Sequence, residues 1–187
     1  MYDELLKQIQ ARETIKTPVV VAISGLAGSG KTYLADKLRD HFRLKNDQVL
    51  RVDLLYAEEP RGPGILDDHD WTLLTRILQD VRKGKRIRYR SRRFGKEGKQ
   101  YDEPLPKIVI VEGIQLLRPE LMGFFDIPVW IDCPPELALE RAKTRDVDRG
   151  YSSEYLSQWD KEWWPNGLEY FNSYHPDKLA TFVYKEN

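Results

Sequence analysis

Hydrophobic positions along the chain follow two rhythms. Leu5, Leu6 and Ile9 recur at helical spacing and predict a leading helix over residues 2–13, whose register Pro18 ends. Val19-Val20-Val21-Ala22-Ile23 is an unbroken apolar run, the pattern of a strand buried on both faces of a parallel sheet. Leu34, Leu38 and Phe42, four apart, predict a helix over 31–43, and Val49-Leu50-Arg51-Val52 reads as a second strand ending at Asp53. A loop rich in Pro, Gly and Asp follows (Pro60, Gly62, Pro63, Gly64, Asp67, Asp68), then a helix from Trp71 to Val81. Residues 84–103, carrying Gly84, Gly95 and Gly98, read as a hairpin or loop. Ile108-Val109-Ile110-Val111 is a third buried strand, running into Glu112-Gly113, and Ile127 to Ile131 is a fourth. Pro134-Pro135 marks a helix start, with a helix over 136–146 and a further helical region over 152–163. Thr181 to Tyr184 is a last strand. Strands alternating with helices imply an α/β fold, a mostly parallel sheet flanked by helices.

Composition narrows the class. The 187 residues suffice for one domain, read as 1–187 with a leading segment 1–17, and 41% hydrophobic residues exclude a wholly disordered chain. No apolar run approaches the roughly 20 residues that span a bilayer. The charged, amphipathic start Met1-Tyr2-Asp3-Glu4 does not read as a signal peptide. Cys133, the single cysteine, excludes an internal disulfide framework and a multi-cysteine zinc site. The expectation is a soluble cytoplasmic protein with no membrane partner. Thirty basic and thirty acidic residues cancel, which argues against a dedicated nucleic-acid binder. The cancellation hides a segmented chain: residues 82–99 carry ten basic residues and one acidic.

Candidate chemistry centres on Gly25-Leu26-Ala27-Gly28-Ser29-Gly30-Lys31-Thr32, a full match to G-x-x-x-x-G-K-[ST] between a buried strand and an amphipathic helix. In such a loop the backbone N–H groups and the helix N-terminus cradle phosphates, the lysine reaches the β- and γ-phosphates, and the threonine hydroxyl ligates Mg²⁺. The loop names a nucleotide and not a reaction, since GTPases, ATPases, motors and kinases share it. Asp53 and Glu112 stand at strand ends, where open α/β sheets collect their chemistry; two acids there can divide the roles of metal assistant and acceptor base. Asp67-Asp68-His69-Asp70 can hold the hydroxyls of a sugar or polyol, or can cap the Trp71 helix through Asp70. Arg141, Arg145 and Arg149 fall at i, i+4 and i+8, either a solvated helix face or a lid that neutralises a transferring phosphoryl group.

These motifs together resemble the uridine kinase and phosphoribulokinase branch of P-loop kinases, from about Val19 to Tyr184. Gly25 to Thr32 matches the Walker A loop of that family, and Asp53 matches its catalytic base. Asp68-His69 is similar to the start of its ribose-contacting Asp-His-Pro stretch, without the proline. Glu112-Gly113-Ile114 is similar to its Glu-Gly-Ile, whose acid assists Mg²⁺. Arg145-Asp146 and Arg149-Gly150 are similar to its lid signature, one residue shorter. The pyrimidine-reading Tyr-Asp-Phe stretch and its later histidine have no counterpart, since Tyr89 is followed by Arg90-Ser91-Arg92-Arg93.

The resemblance implies a P-loop fold with a helical lid near 134–165 and a substrate hairpin near 84–103. It further implies an ATP- and Mg²⁺-dependent kinase acting on a small-molecule hydroxyl, on a nucleoside, sugar or sugar phosphate. Lys31, Asp53, Arg145 and Arg149 are the expected catalytic residues, Thr32 and Glu112 the metal residues. Asp53, Asp68, His69, Tyr89 and Arg141 form the expected acceptor side. The basic run 82–99 keeps three readings: a seat for an anionic acceptor, a grip on nucleic acid that would make this a nucleotide-gated binding protein, or a solvated hairpin. Trp159, Trp163 and Trp164 are read as packing against the sheet, His41 and His175 as structural, and homo-oligomerisation stays open.

Overall fold

The computed structural model describes residues 1–58, 68–93 and 96–185. Pro60, Gly62, Pro63, Gly64 and Asp67 of the expected loop, and Phe94 and Gly95 of the hairpin, lie outside the described residues.

The central strand β1 (Val19–Ser24) is buried along its whole length. Alternation along it decides the layering, because successive side chains point to opposite faces. Val20 and Ala22 join one apolar cluster with Leu74, Ile77, Leu78 and Val81 of the helix Trp71–Arg82. Val19, Val21 and Ile23 join a second with Leu5, Leu6 and Ile9 of α1 (Tyr2–Glu13), and with Leu34, Ala35 and Leu38 of α2 (Lys31–His41). The sheet therefore lies between two helical layers. Five parallel strands compose it, in the order β2 (Val49–Arg51), β5 (Ile108–Glu112), β1, β6 (Ile127–Asp132), β7 (Phe182–Lys185).

The remaining elements are α3 (Trp71–Arg82), the antiparallel pair β3 (Ile87–Arg93) and β4 (Lys96–Glu103), the single turn α4 (Pro119–Met122), α5 (Pro135–Asp148), α6 (Ser153–Gln158), α7 (Trp164–Tyr174) and the single turn α8 (Pro176–Leu179). Asp70 caps α3 as expected, accepting from the Leu73 amide at 2.9 Å. No helix among the described residues is long and apolar enough to cross a membrane.

Three features differ from the sequence expectation. The second strand stops at Arg51, and Asp53 sits on a 3₁₀ turn, Val52–Leu54. The helical region that begins near Ser152 does not end at 163: a π-helical turn, Trp159–Trp163, joins α6 to α7. Pro165 does not break it, because it occupies the first turn of α7, where its missing N–H has no intrahelical partner to lose. Tyr89, expected on the acceptor side, points inward from β3 into the core and stacks on Tyr101, with centroids 4.5 Å apart and planes 4° from parallel. Alternation along β3 explains it, since Ile87, Tyr89 and Ser91 are buried while Arg88 and Arg90 are exposed.

The basic run is partly neutralised within the fold. Arg86 and Arg88 pair with Asp102, Arg90 and Arg92 with Glu97, Lys85 with Asp80, Lys99 with Asp47 and Arg82 with Asp126. Most of these acids stand outside residues 82–99, so the segment's charge is not the hairpin's charge. The nucleic-acid reading is not favoured.

Candidate active site

Residues 25–32 turn the chain from the end of β1 into α2. Gly28 and Gly30 hold φ near 80° and 96°, the left-handed region that an L side chain disfavours. Gly28 also abuts α5 so closely that a Cβ there would stand 2.0 Å from the Ala138 carbonyl oxygen. Gly25, Leu26, Ala27, Gly28, Gly30, Lys31 and Thr32 line a cleft of about 380 Å³. Ser29 is not part of the lining; it is buried in the loop. Lys31 is buried, and its Nζ donates to the Leu26 carbonyl across the loop at 2.9 Å. Burial pushes the Lys31 pKa down, against the pull of Glu112 and Asp53.

Glu112 closes β5 and is buried beside the loop. It accepts from Thr32 Oγ1 at 3.1 Å and from Arg51 Nη1 at 3.4 Å, while Arg51 Nη2 donates to Asp36 at 2.6 Å. Burial raises the Glu112 pKa, opposed chiefly by the Lys31 charge. Gly113 lets the ends of β5 and β2 meet, for a Cβ there would lie 2.5 Å from Val52 Cβ. That approach brings Glu112 and Asp53 into one cleft. Burial is the largest influence on Lys31, Glu112, Tyr56, His69 and Arg145, and the Asp53 charge acts on all five.

Opposite the loop, Tyr56, Asp68, His69 and Arg93 line the cleft. His69 is buried between Tyr56 and Trp71, with ring centroids 4.6 and 5.5 Å away. Among the described residues neither ring nitrogen has a hydrogen-bond partner, and burial pushes the His69 pKa down to about 4. It is a neutral imidazole offering a donor and an acceptor.

Arg141, Arg145 and Arg149 reach the cleft from α5, and Trp159, Trp163, Trp164, Asn166 and Gly167 from the π turn and α7. Asp146 is 1% exposed; it accepts from Arg145 Nε at 2.9 Å and Trp159 Nε1 at 3.0 Å. Tyr151 stacks on Tyr155 at 4.1 Å, and Tyr155 and Trp159 each meet Trp163 edge-on. The tryptophans thus do more than pack on the sheet: Trp164 lies against the core, and all three wall the cleft.

Every expected site residue except Ser29 and Tyr89 converges here. Sequence reasoning missed Arg51, Tyr56, Gln115 and Tyr155, and named Arg93 only within the basic run 82–99. Arg51, the only charge in an otherwise apolar strand, was the legible signal among them.

A family model described as Zeta toxin matches residues 2–56, the part of the chain that contains the phosphate loop. A uridine kinase of Limosilactobacillus reuteri is 29% identical over 155 residues, covering 75% of this chain and 71% of that protein. A uridine kinase of Geobacillus kaustophilus is 30% identical over 167 residues, covering 76% of both chains. The chain belongs to the uridine kinase family. It is a uridine kinase-like phosphotransferase that transfers to a hydroxyl of a small molecule. The fold agrees: a candidate fructose transport system kinase of Silicibacter superposes with a TM-score of 0.74 over 98% of both chains, at 17% identity. In this uridine kinase-like enzyme three tryptophans wall the cleft, and the hairpin tyrosine Tyr89 lies in the core.

Proposed function

We propose that the chain transfers the γ-phosphoryl group of ATP to a hydroxyl of a nucleoside or sugar, with Asp53 as the group that takes or orients the acceptor proton. The observation that carries this is the position of Asp53: exposed within the cleft, with its charge felt by Lys31, Glu112, His69 and Arg145 together. A carboxylate so placed faces the phosphate loop on one side and a polar, aromatic chamber on the other.

The loop amides and Lys31 hold the β- and γ-phosphates, and the α2 N-terminus adds its partial positive charge. Lys31 leaves the Leu26 carbonyl to do so. The Thr32 hydroxyl and Glu112 carboxylate, 3.1 Å apart, suit Mg²⁺, which is held by one or two protein oxygens together with substrate phosphates. When bound there, Mg²⁺ neutralises charge on the phosphates. Arg51 steadies Glu112 from the far side. On the acceptor side, Asp68 and neutral His69 offer hydrogen bonds to ring hydroxyls, and Tyr56 and the tryptophans supply flat surface. Arg141, Arg145 and Arg149 stabilise the charge that develops on the equatorial oxygens.

The test is Asp53→Asn, assayed by ADP release with ATP, Mg²⁺ and a panel of uridine, cytidine, fructose and sugar phosphates. Turnover should fall about 10²- to 10⁴-fold, the usual range for a lost general base, with ATP binding within about threefold of wild type. Wild-type turnover in that variant refutes the assignment, and the preferred member of the panel names the acceptor.

A further inference from the structure

Asp146 sits in the last turn of α5, the negative pole of the helix, where a cation is favoured and a carboxylate costs stability. It is nevertheless buried, and burying a carboxylate is costly unless it is paired and hydrogen-bonded. Its partners supply that compensation from three directions. Arg145 donates through Nε to Oδ1 at 2.9 Å, Arg149 Nη1 stands 3.8 Å from the same oxygen, and Trp159 donates its indole N–H to Oδ2 at 3.0 Å. The Arg145 guanidinium carbon lies 6.0 Å from the centroid of the Trp159 ring, so Trp159 bonds the carboxylate and faces the arginine at the outer reach of a cation–π interaction.

The donor that Arg145 spends on Asp146 is informative. Its Nε is engaged, which leaves the two terminal nitrogens and their four N–H groups for another anion. Arg145 and Arg149 remain about half exposed, and both line the cleft. A carboxylate fixed by an indole therefore holds Arg145 by its Nε, with the far side of that guanidinium turned to meet a phosphoryl group, while a terminal nitrogen of Arg149 stands 3.8 Å from the same oxygen.

We propose that Asp146 is a positioning residue for phosphoryl transfer, a buried anion that sets the reach of Arg145 into the cleft and is itself oriented by Trp159. This rests on the assignment of Arg145 made above, and it adds a residue that acts through that arginine. It links the phosphate side of the cleft to its tryptophan wall, because the same carboxylate bonds both.

The experiment compares the binding of AMP-PNP with that of ADP by calorimetry, in Mg²⁺, for wild type, Asp146→Asn, Arg145→Ala and the double variant. The ratio of the two affinities isolates contacts to the γ-phosphate and needs no acceptor. A charge-assisted hydrogen bond of about 2 kcal/mol corresponds to about a 30-fold change, so each single variant should lose on the order of tenfold or more in that ratio. The double variant should lose no more than about twofold beyond Arg145→Ala, since Asp146 acts through the arginine. Melting temperatures are measured on the same samples. Should Asp146→Asn fail to fold, Trp159→Phe removes the indole donor with little change in shape, and the same non-additivity with Arg145→Ala is expected. A loss in Arg145→Ala beside a wild-type ratio in Asp146→Asn overturns the positioning role alone, as do losses that multiply in the double variant. A wild-type ratio in Arg145→Ala overturns the arginine assignment beneath it.

Discussion

Replacing Gly28 with alanine separates the two demands that the phosphate loop places on one residue. The first is conformational: at φ near 80° an L side chain costs about 1–2 kcal/mol. The second is spatial. The added Cβ would stand 2.0 Å from the Ala138 carbonyl oxygen and 2.9 Å from the Ala142 amide nitrogen, both backbone atoms of α5. No rotamer relieves a clash with a helix backbone. Ordinary contact begins at 3.4 Å, so loop and helix must part by about 1.4 Å, the difference of the two distances. Overpacking of this kind costs about 1–3 kcal/mol, for a total near 3 kcal/mol. A displacement of that size also spoils at least one amide–phosphate hydrogen bond, worth about 1.5–3 kcal/mol, so ATP should bind some 10- to 100-fold more weakly. Gly84→Ala is the control. Its φ is 73° and nothing lies within 4 Å of the new Cβ, so it carries the conformational cost alone. Thermal melts of both variants and calorimetric titration of ATP make the comparison. Gly84→Ala should lower Tm by about 2–8 °C with unaltered ATP binding, and Gly28→Ala by about twice as much. Equal Tm losses with wild-type ATP affinity in Gly28→Ala would refute the claim that the loop and α5 are in backbone contact.

Two further predictions concern buried polar groups. His69, with its pKa lowered from 6.5 to about 4, stays neutral in the folded state where the unfolded chain would protonate it. Stability should therefore rise with pH between about 4 and 6.5, by up to about 3 kcal/mol, and His69→Gln should flatten that slope in urea melts across the range. The Tyr89 hydroxyl is buried and, among the described residues, has no hydrogen-bond partner. Tyr89→Phe should leave stability unchanged or raise it by about 1 kcal/mol, with the acceptor KM unaltered, as melts and steady-state kinetics will test.

The sheet was legible because its strands are buried on both faces. Val19 to Ile23 and Ile108 to Val111 have no polar interruption, and only a central parallel strand tolerates such a run. The phosphate loop was legible for a different reason, that glycines, lysine and threonine each answer a stated chemical need at fixed spacing. What could not be read was which way a residue on a short or irregular element faces. Tyr89 and Arg93 share one strand and a basic neighbourhood, yet β3 sends the first into the core and the second to the cleft. A register shift between Arg90 and Arg92 intervenes, and no local pattern announces it. The tryptophans were hidden likewise. Spacing suited a helical stripe against the sheet, but a π turn rotates the run by an extra residue and opens it toward the cleft.

The electrostatics of the cleft follow from the same geometry. A fold selected for stability alone would not bury Lys31 and Glu112, because each loses hydration that their mutual attraction restores only in part. Their present partners are stand-ins of modest strength: a backbone carbonyl for Lys31, a threonine hydroxyl and a shared arginine for Glu112. On the proposed reading, phosphate oxygens would replace the carbonyl and a divalent cation would lie between hydroxyl and carboxylate. Asp53 completes the arrangement by remaining exposed in the cleft while its charge reaches both buried groups. Perturbed ionisable groups clustered in one cleft beside a glycine-rich loop are the mark of a functional site. On the reading proposed above, a phosphate chain entering the cleft would offset the cost of holding these groups apart from water, and ATP should then raise the melting temperature of the protein.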